Sequence, residues 1–193
     1  MPSGVVHDRI TLWLLPWIVG GTYILTRNAE LTLLLSGSYL FSGMMFGPDL
    51  DIRSLQFKRW GFIRNIWLPY RQMMRHRSIF SHGLIVGTCV RLIYLGLIIA
   101  FIAIFAVAIA QLIFGFPWNW HSFVGGKLNL LITKYPSEAI AIFIGLEIGA
   151  MSHSISDWIS SYRKLYLKKK QNKPKPAAIK RRRRQAKIFQ KKK

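Results

Sequence analysis

Residues 92–114 read LIYLGLIIAFIAIFAVAIAQLIF, without Asp, Glu, Lys or Arg. A helix rises about 1.5 Å per residue, so this run alone is long enough to cross ~30 Å of hydrocarbon. Three further stretches extend the pattern. Residues 136–159 form a second apolar run, interrupted by Glu138, Glu147, His153 and Asp157. Residues 10–25 and 31–46 carry no formal charge, and Thr26-Arg27-Asn28-Ala29-Glu30 forms a tight turn between them. This pair is expected to form a transmembrane hairpin, with two buried helices of a soluble bundle as the alternative. The fold class expected is all-α, a four-span helical membrane bundle. Pro16 interrupts the first apolar stretch, and no small-residue cleavage site follows it, so the stretch is expected to be retained.

Charge is segregated from this apolar material. The 193 residues hold 28 Lys and Arg against 7 Asp and Glu, a net charge of +21. Residues 163–193 carry 16 of those basic residues and no acid. Such dense like charge, with little apolar surface to offset ordering, predicts a disordered polybasic tail after a helical domain at 1–162. A second basic cluster lies at 53–77, where seven Lys and Arg alternate with Phe57, Trp60, Phe62, Trp67 and Tyr70. Cations interleaved with indole and phenol rings suit the headgroup layer. The expected partners are the lipid bilayer and, through the tail and 53–77, anionic headgroups. Nucleic acid is the alternative for the same mixture, and the sequence identifies no protein partner. Counting basic residues puts residues 1–9, 47–82 and 160–193 on one face, which the positive-inside rule makes cytoplasmic. The localisation expected is a bacterial inner or other internal membrane, multi-pass, with both termini cytoplasmic.

Composition excludes several function classes. A single cysteine rules out an internal disulfide framework and a multi-cysteine zinc ribbon. No Gly-x-Ser-x-Gly is present, so a serine-hydrolase elbow is unsupported.

Imidazoles and carboxylates gather in four short clusters: His7-Asp8, Asp49 and Asp51, His76 and His82, and His153 with Asp157. The four-span reading places each cluster at the cytoplasmic end of a span. His153 and Asp157 are four apart and share one helix face. Asp49 and Asp51 follow Pro48 in a turn or extended segment. These side chains bind divalent metals, zinc foremost, with iron and manganese as alternatives. Eight donors exceed the four of one tetrahedral ion, which points to two ions. Each cluster also has a plain structural reading: an exposed N-terminal pair, turn or capping residues, a solvated loop, a satisfied helix end. Arg77, Ser78 and Ser81 lie between the two loop histidines, where they could orient ligands or hold a substrate phosphate. Arg91 and Glu147 fall at similar depth and are expected to pair. His121, beside Trp118 and Trp120, is read as interfacial.

Several motifs, taken in order, resemble a family of bacterial metal-binding membrane proteins of unknown function. They are Met-Pro-Ser-Gly-x-x-His-Asp-Arg-Ile-Thr, Gly-Pro-Asp-Leu-Asp-Ile, Arg-Trp-Gly, Trp-x-Pro-Tyr-Arg, His-Arg-Ser-x-x-Ser-His-Gly and His-x-x-x-Asp. The pattern is similar, more distantly, to LexA-regulated inner-membrane metal-dependent hydrolases. The resemblance covers about residues 1–160. It implies His7, Asp49, Asp51, His76, His82, His153 and Asp157 as ligands, with Asp8 belonging only to the closer pattern. The leading functional expectation is a metal-dependent hydrolase acting near the headgroup layer on a phosphoester, with Arg77 neutralising phosphate charge. A non-catalytic, metal-stabilised scaffold or metal-handling protein is the alternative. A transporter would need more intramembrane polar residues than Arg91 and Glu147.

Overall fold

The structure is a computed structural model that describes residues 4–171; among them every regular element is helical. They fall into two compact units, residues 4–156 and 157–171.

Helix α1 (Gly4–Thr26) and helix α2 (Ala29–Met44) are joined by the expected tight turn. Asn28 makes that turn work: its side-chain oxygen accepts from the N–H groups of Glu30 and Leu31, satisfying donors that a helix start leaves orphaned. Glu30 in the first turn of α2 adds charge of the sign the helix N-terminus favours. The two helices pack closely where Gly43 faces Thr11; a Cβ on Gly43 would come within 2.6 Å of the threonine side chain. Tyr39, fully buried, donates its hydroxyl to the Thr11 carbonyl.

After α2 the chain turns through a short 3-10 helix, Pro48–Asp51, and then winds through 52–82. That stretch contains α3 (Leu55–Arg59), a 3-10 segment (Gly61–Trp67), α4 (Leu68–Met73) and α5 (Ile79–His82). An aromatic core anchors it: Phe46, Leu50, Phe57, Trp67 and Tyr70 are buried together with Leu146. The indole N–H of Trp60 donates to the Met45 carbonyl, tying the basic, aromatic stretch to the end of α2.

Helix α6 (Val86–Phe114) contains the whole decisive run and ends at Gly115, whose φ of 64° suits a left-handed cap. Helix α7 (Trp120–Thr133) starts on Asn119, which accepts from Ser122 N–H. Its residues are almost all exposed, His121 among them. Helix α8 (Pro136–Gln171) opens on proline, whose absent N–H costs nothing at a first helical position. In the first unit α8 meets α2 through Gly145 and Gly149, where the helix backbones nearly touch. A Cβ on Gly149 would lie 2.5 Å from the Tyr39 carbonyl oxygen, and Ser42 donates its hydroxyl to Leu146 O at 2.6 Å.

Two helices, α6 and α8, are long and apolar enough to cross a membrane. The four-span expectation therefore stands only in part. Helix α2 has 16 residues, short of the ~20 a span needs. Helix α1 spends its first turns on His7, Asp8 and Arg9. The second unit, 157–171, is helical throughout. The tail expected to be disordered from 163 is thus helical through 171. Lys168, Lys169 and Lys170 sit in the last turn, where cations complement the helix dipole. The rest of that tail, 172–193, lies outside the described residues.

The close α2–α8 approach yields a test. Gly149→Val should destabilise the purified protein by about 1–3 kcal/mol, because the carbonyl of Tyr39 cannot move aside. Gly20→Ala, where nothing lies within 4 Å, should leave thermal unfolding unchanged or raise it slightly.

Candidate metal centre

The 3-10 twist at Pro48–Asp51 decides where the two aspartates point. Successive side chains turn by about 120° in such a helix, so Asp49 and Asp51 reach the same two histidines, His76 and His82, from different sides. Asp51, buried, turns toward 76–81. Its carboxylate oxygens lie 2.9 and 3.0 Å from His76 Nδ1, and it accepts the Ser81 hydroxyl. Asp49 meets the same segment at His82 and also reaches α8. Its Oδ1 is 3.7 Å from His82 Nε2 and its Oδ2 is 3.2 Å from His153 Nε2.

The hydrogen bonds fix the proton positions. Asp51 accepts from His76 Nδ1, which leaves His76 Nε2 with a lone pair. Ser81 donates to Asp51 and so accepts from His82 Nδ1 at 3.0 Å, which leaves His82 Nε2 likewise an acceptor. Burial by itself would raise the Asp49 carboxyl, but when the rings of His153 and His82 carry the proton that faces it, their hydrogen bonds and charge outweigh burial and hold the group well below the usual carboxylate range. Asp49 is therefore ionised at neutral pH.

The outcome is a gathering of acceptors. Asp49 Oδ1, His76 Nε2 and His82 Nε2 are buried atoms, and none has a hydrogen-bond partner. One donor atom from each of Asp49, His76 and His82 falls within 4.8 Å of the others. Donors about 2.0–2.2 Å from one ion lie up to roughly 4.4 Å apart, so the spacing suits a single small cation. The group also fits by type: two imidazole nitrogens and a carboxylate, with one imidazole fixed through its other nitrogen by a carboxylate.

Across Asp49 lies a second pair. His7 and His153 stack with ring centroids 3.8 Å apart, both buried. Ser156 Oγ sits 3.3 Å from His7 Nδ1. Helix α1 thus contributes His7 and helix α8 contributes His153, 146 residues later in sequence. The Asp49 carboxylate has one oxygen toward each group.

The remaining expected residues divide. Asp8 is not with the others: one position after His7 it points elsewhere on α1, and Arg59 grips both its oxygens, with Arg59 also donating to Met44 O. Asp51 stands behind the Asp49–His76–His82 group, as the partner of His76. Asp157 opens the second unit, four residues after His153 in α8. Arg77 is exposed, with φ 62°, between His76 and α5. Arg91 and Glu147 do not form the expected ion pair. Arg91 instead donates to Ser81 O at 2.8 Å and to Thr88 Oγ1, while Glu147 accepts from Ile85 N–H. Backbone groups within reach compete with a direct pair, and hydropathy reveals nothing of them. Arg59 as the partner of Asp8, and Ser156 beside His7, escape sequence reasoning because both contacts join distant segments.

Comparison with known proteins agrees with metal binding. Residues 2–167 match the family described as uncharacterized metal-binding protein (DUF2227), and the chain belongs to that family. An uncharacterized protein of Aquifex aeolicus (strain VF5) is 40% identical over 58 residues, 30% of this chain and 40% of that protein. The chain thus spans about two fifths of the length of that curated relative. No solved structure matches.

Elemental analysis of the purified full chain tests the donor set. His82→Ala should lose bound metal, whereas Asp8→Ala should retain it. Asp51→Asn should weaken metal affinity by about 10–100-fold, the usual effect of removing the group that orients a ligating histidine.

Proposed function

We propose that this member of the metal-binding family is a membrane-embedded, metal-dependent hydrolase that cleaves phosphoesters at the headgroup layer. The observation that carries the reading is the set of buried, partnerless acceptors Asp49 Oδ1, His76 Nε2 and His82 Nε2 beside a cavity of about 160 Å³ that His82 also lines. A structural metal site closes its coordination shell with protein, whereas a catalytic one keeps a face toward substrate. Here His82 belongs to both the cluster and the cavity.

Asp49, His76 and His82 would hold one divalent ion. His7 and His153 would contribute to a second, with Asp49 between them. Zinc suits imidazole and carboxylate donors best, and iron and manganese accept the same set. A bound divalent ion supplies Lewis acidity toward a phosphoryl oxygen. The protein supplies the rest. Asp51 and Ser81 keep both loop histidines in the tautomer with Nε2 unprotonated. Arg77, exposed next to His76, neutralises phosphate charge.

The membrane setting rests on apolar surface. Helix α6 buries none of its most apolar stretch within the protein. Trp13, Trp17, Leu25 and Leu33 stand out from the α1–α2 hairpin. In the loop that carries His82, Ile79 is 71% and Phe80 59% exposed. Lipid would cover these faces: α6 and α8 cross the bilayer, and the hairpin completes a four-span bundle with 1–9, 47–82 and 160–193 cytoplasmic. The basic residues of 53–77 then meet anionic headgroups.

Metal-replete protein in detergent should hydrolyse an aryl phosphodiester or monoester. Arg77→Ala should cut kcat by about 100-fold, the scale of removing one charge-stabilising group, with metal content unchanged. Metal-loaded wild type that turns over no phosphoester ends the hydrolase reading. Reporters inserted at 116–119 and after 193 should fall on opposite sides of the membrane; a common side would end the topology.

A further inference from the structure

The cavity beside the metal centre holds two buried charges that the proposed chemistry leaves unused. Arg91 is 1% exposed and Glu147 9% exposed, and both line the cavity with His82. Each has spare hydrogen-bonding capacity. Arg91 donates through Nη1 to Ser81 O and through Nη2 to Thr88 Oγ1, and the guanidinium also meets the buried Tyr70 hydroxyl, contacts that leave some of its five N–H groups over. Glu147 uses Oε1 on the Ile85 N–H, and its Oε2 has no partner. A buried donor or acceptor left unmade costs about 1–3 kcal/mol, and more for a charged group. A guanidinium with N–H groups to spare and a carboxylate with one unpartnered oxygen line the same small chamber, which suits a ligand that brings an anionic acceptor and a cationic donor together.

Size and rim narrow the ligand further. A cavity of about 150 Å³ accepts a benzene-sized group, so this one, at about 160 Å³, takes a headgroup fragment and not a whole lipid. Leu84, 59% exposed, and Ile155, 47% exposed, form apolar lining that also reaches the surface. An acyl chain can lie there while the polar end sits inside.

We infer that this cavity is a subsite for an aminoalkyl phosphate, with the ammonium on Glu147 and the phosphate between Arg91 and the His82 edge. The inference rests on the phosphoester reading and names its substrate class. Glu147 sets the preference: a carboxylate at this position attracts an amine-bearing phosphate and repels one with no cation. The same chemistry occurs in a soluble phosphoamine and in an ethanolamine-type lipid headgroup.

The test is binding to the full chain as purified, in detergent, by titration calorimetry. Wild type should bind O-phosphoethanolamine at least about tenfold more tightly than glycerol 3-phosphate, a factor equal to about 1.4 kcal/mol. Glu147→Gln, which keeps a carbonyl oxygen for the Ile85 N–H, should remove that preference by weakening the amine ligand and not the other. Equal affinities in wild type within both the soluble pair and the lipid pair below, or equal losses for both ligands in the variant, overturn the subsite. The wild-type comparison stands even if the variant does not fold. Short-chain phosphatidylethanolamine against short-chain phosphatidylglycerol repeats the comparison for the lipid source. A preference seen in the lipid pair alone assigns a membrane substrate; one seen equally in the soluble pair assigns a soluble one. Selective binding with no turnover would sink the hydrolase and keep the subsite, while turnover without selectivity would do the reverse.

Discussion

Everything in the first unit is arranged around the carboxylate of Asp49. One of its oxygens faces His82 at 3.7 Å and the other faces His153 at 3.2 Å. The site would be simple to build if each acceptor met a donor. Instead the hydrogen bonds that fix His76 and His82 use up their N–H groups on the far side, so that only lone pairs point inward. Acceptors facing acceptors repel, and a folded chain keeps such an arrangement only when something positive offsets it. Protonating the histidines is one way, and binding a cation is another. The second uses every hydrogen bond already present, because Asp51 and Ser81 hold just the tautomers that leave Nε2 open.

Holding that arrangement requires contacts between segments far apart in sequence. Helix α8 can bring His153 to Asp49 only because Gly145 and Gly149 let it approach the backbone of α2. Gly43 plays the same part between α2 and α1, which carries His7. The helix carrying His82 has only four residues and cannot be rigid alone. It is pinned by Ser81, whose hydroxyl serves Asp51 and whose carbonyl accepts from Arg91. The buried arginine thus supports the metal centre through the main chain, without touching a ligand.

Much of this was legible in the sequence, and the illegible parts share a cause. Apolar runs gave the positions of α6 and α8, and Asn28 with its neighbours gave the turn between α1 and α2. Residue type marked His7, Asp49, His76, His82 and His153, because imidazole and carboxylate are seldom gathered at the ends of apolar runs without reason. Sequence spacing could not say which carboxylate groups with the Nε2 atoms of His76 and His82 and which holds His76 from behind. That was settled by a 3-10 turn after Pro48, a difference of backbone twist over four residues. It could not remove Asp8 either, since the competing Arg59 lies 51 positions away. The pairing of Arg91 with Glu147 failed for the same reason. Charge and depth matched, but the nearest partners were backbone groups of 81–85, whose placement is tertiary.

Those backbone groups explain why Glu147 is buried at all. Ile85 has φ 62° and ψ −54°, an unfavourable conformation for a β-branched residue. Strain of that kind costs about 1–3 kcal/mol and persists only where the surroundings impose it. A hydrogen bond from its N–H to the Glu147 carboxylate contributes about 1.5–3 kcal/mol, enough to offset it. The turn at Ile85 is what swings α5 back over the start of α6, so that Ser81 meets Asp51 and His82 meets Asp49. A neutral acceptor could hold the same N–H at less desolvation cost. The choice of a full charge, with its second oxygen unpartnered on a residue that lines the cavity, makes sense if that oxygen has a cationic partner of its own to meet.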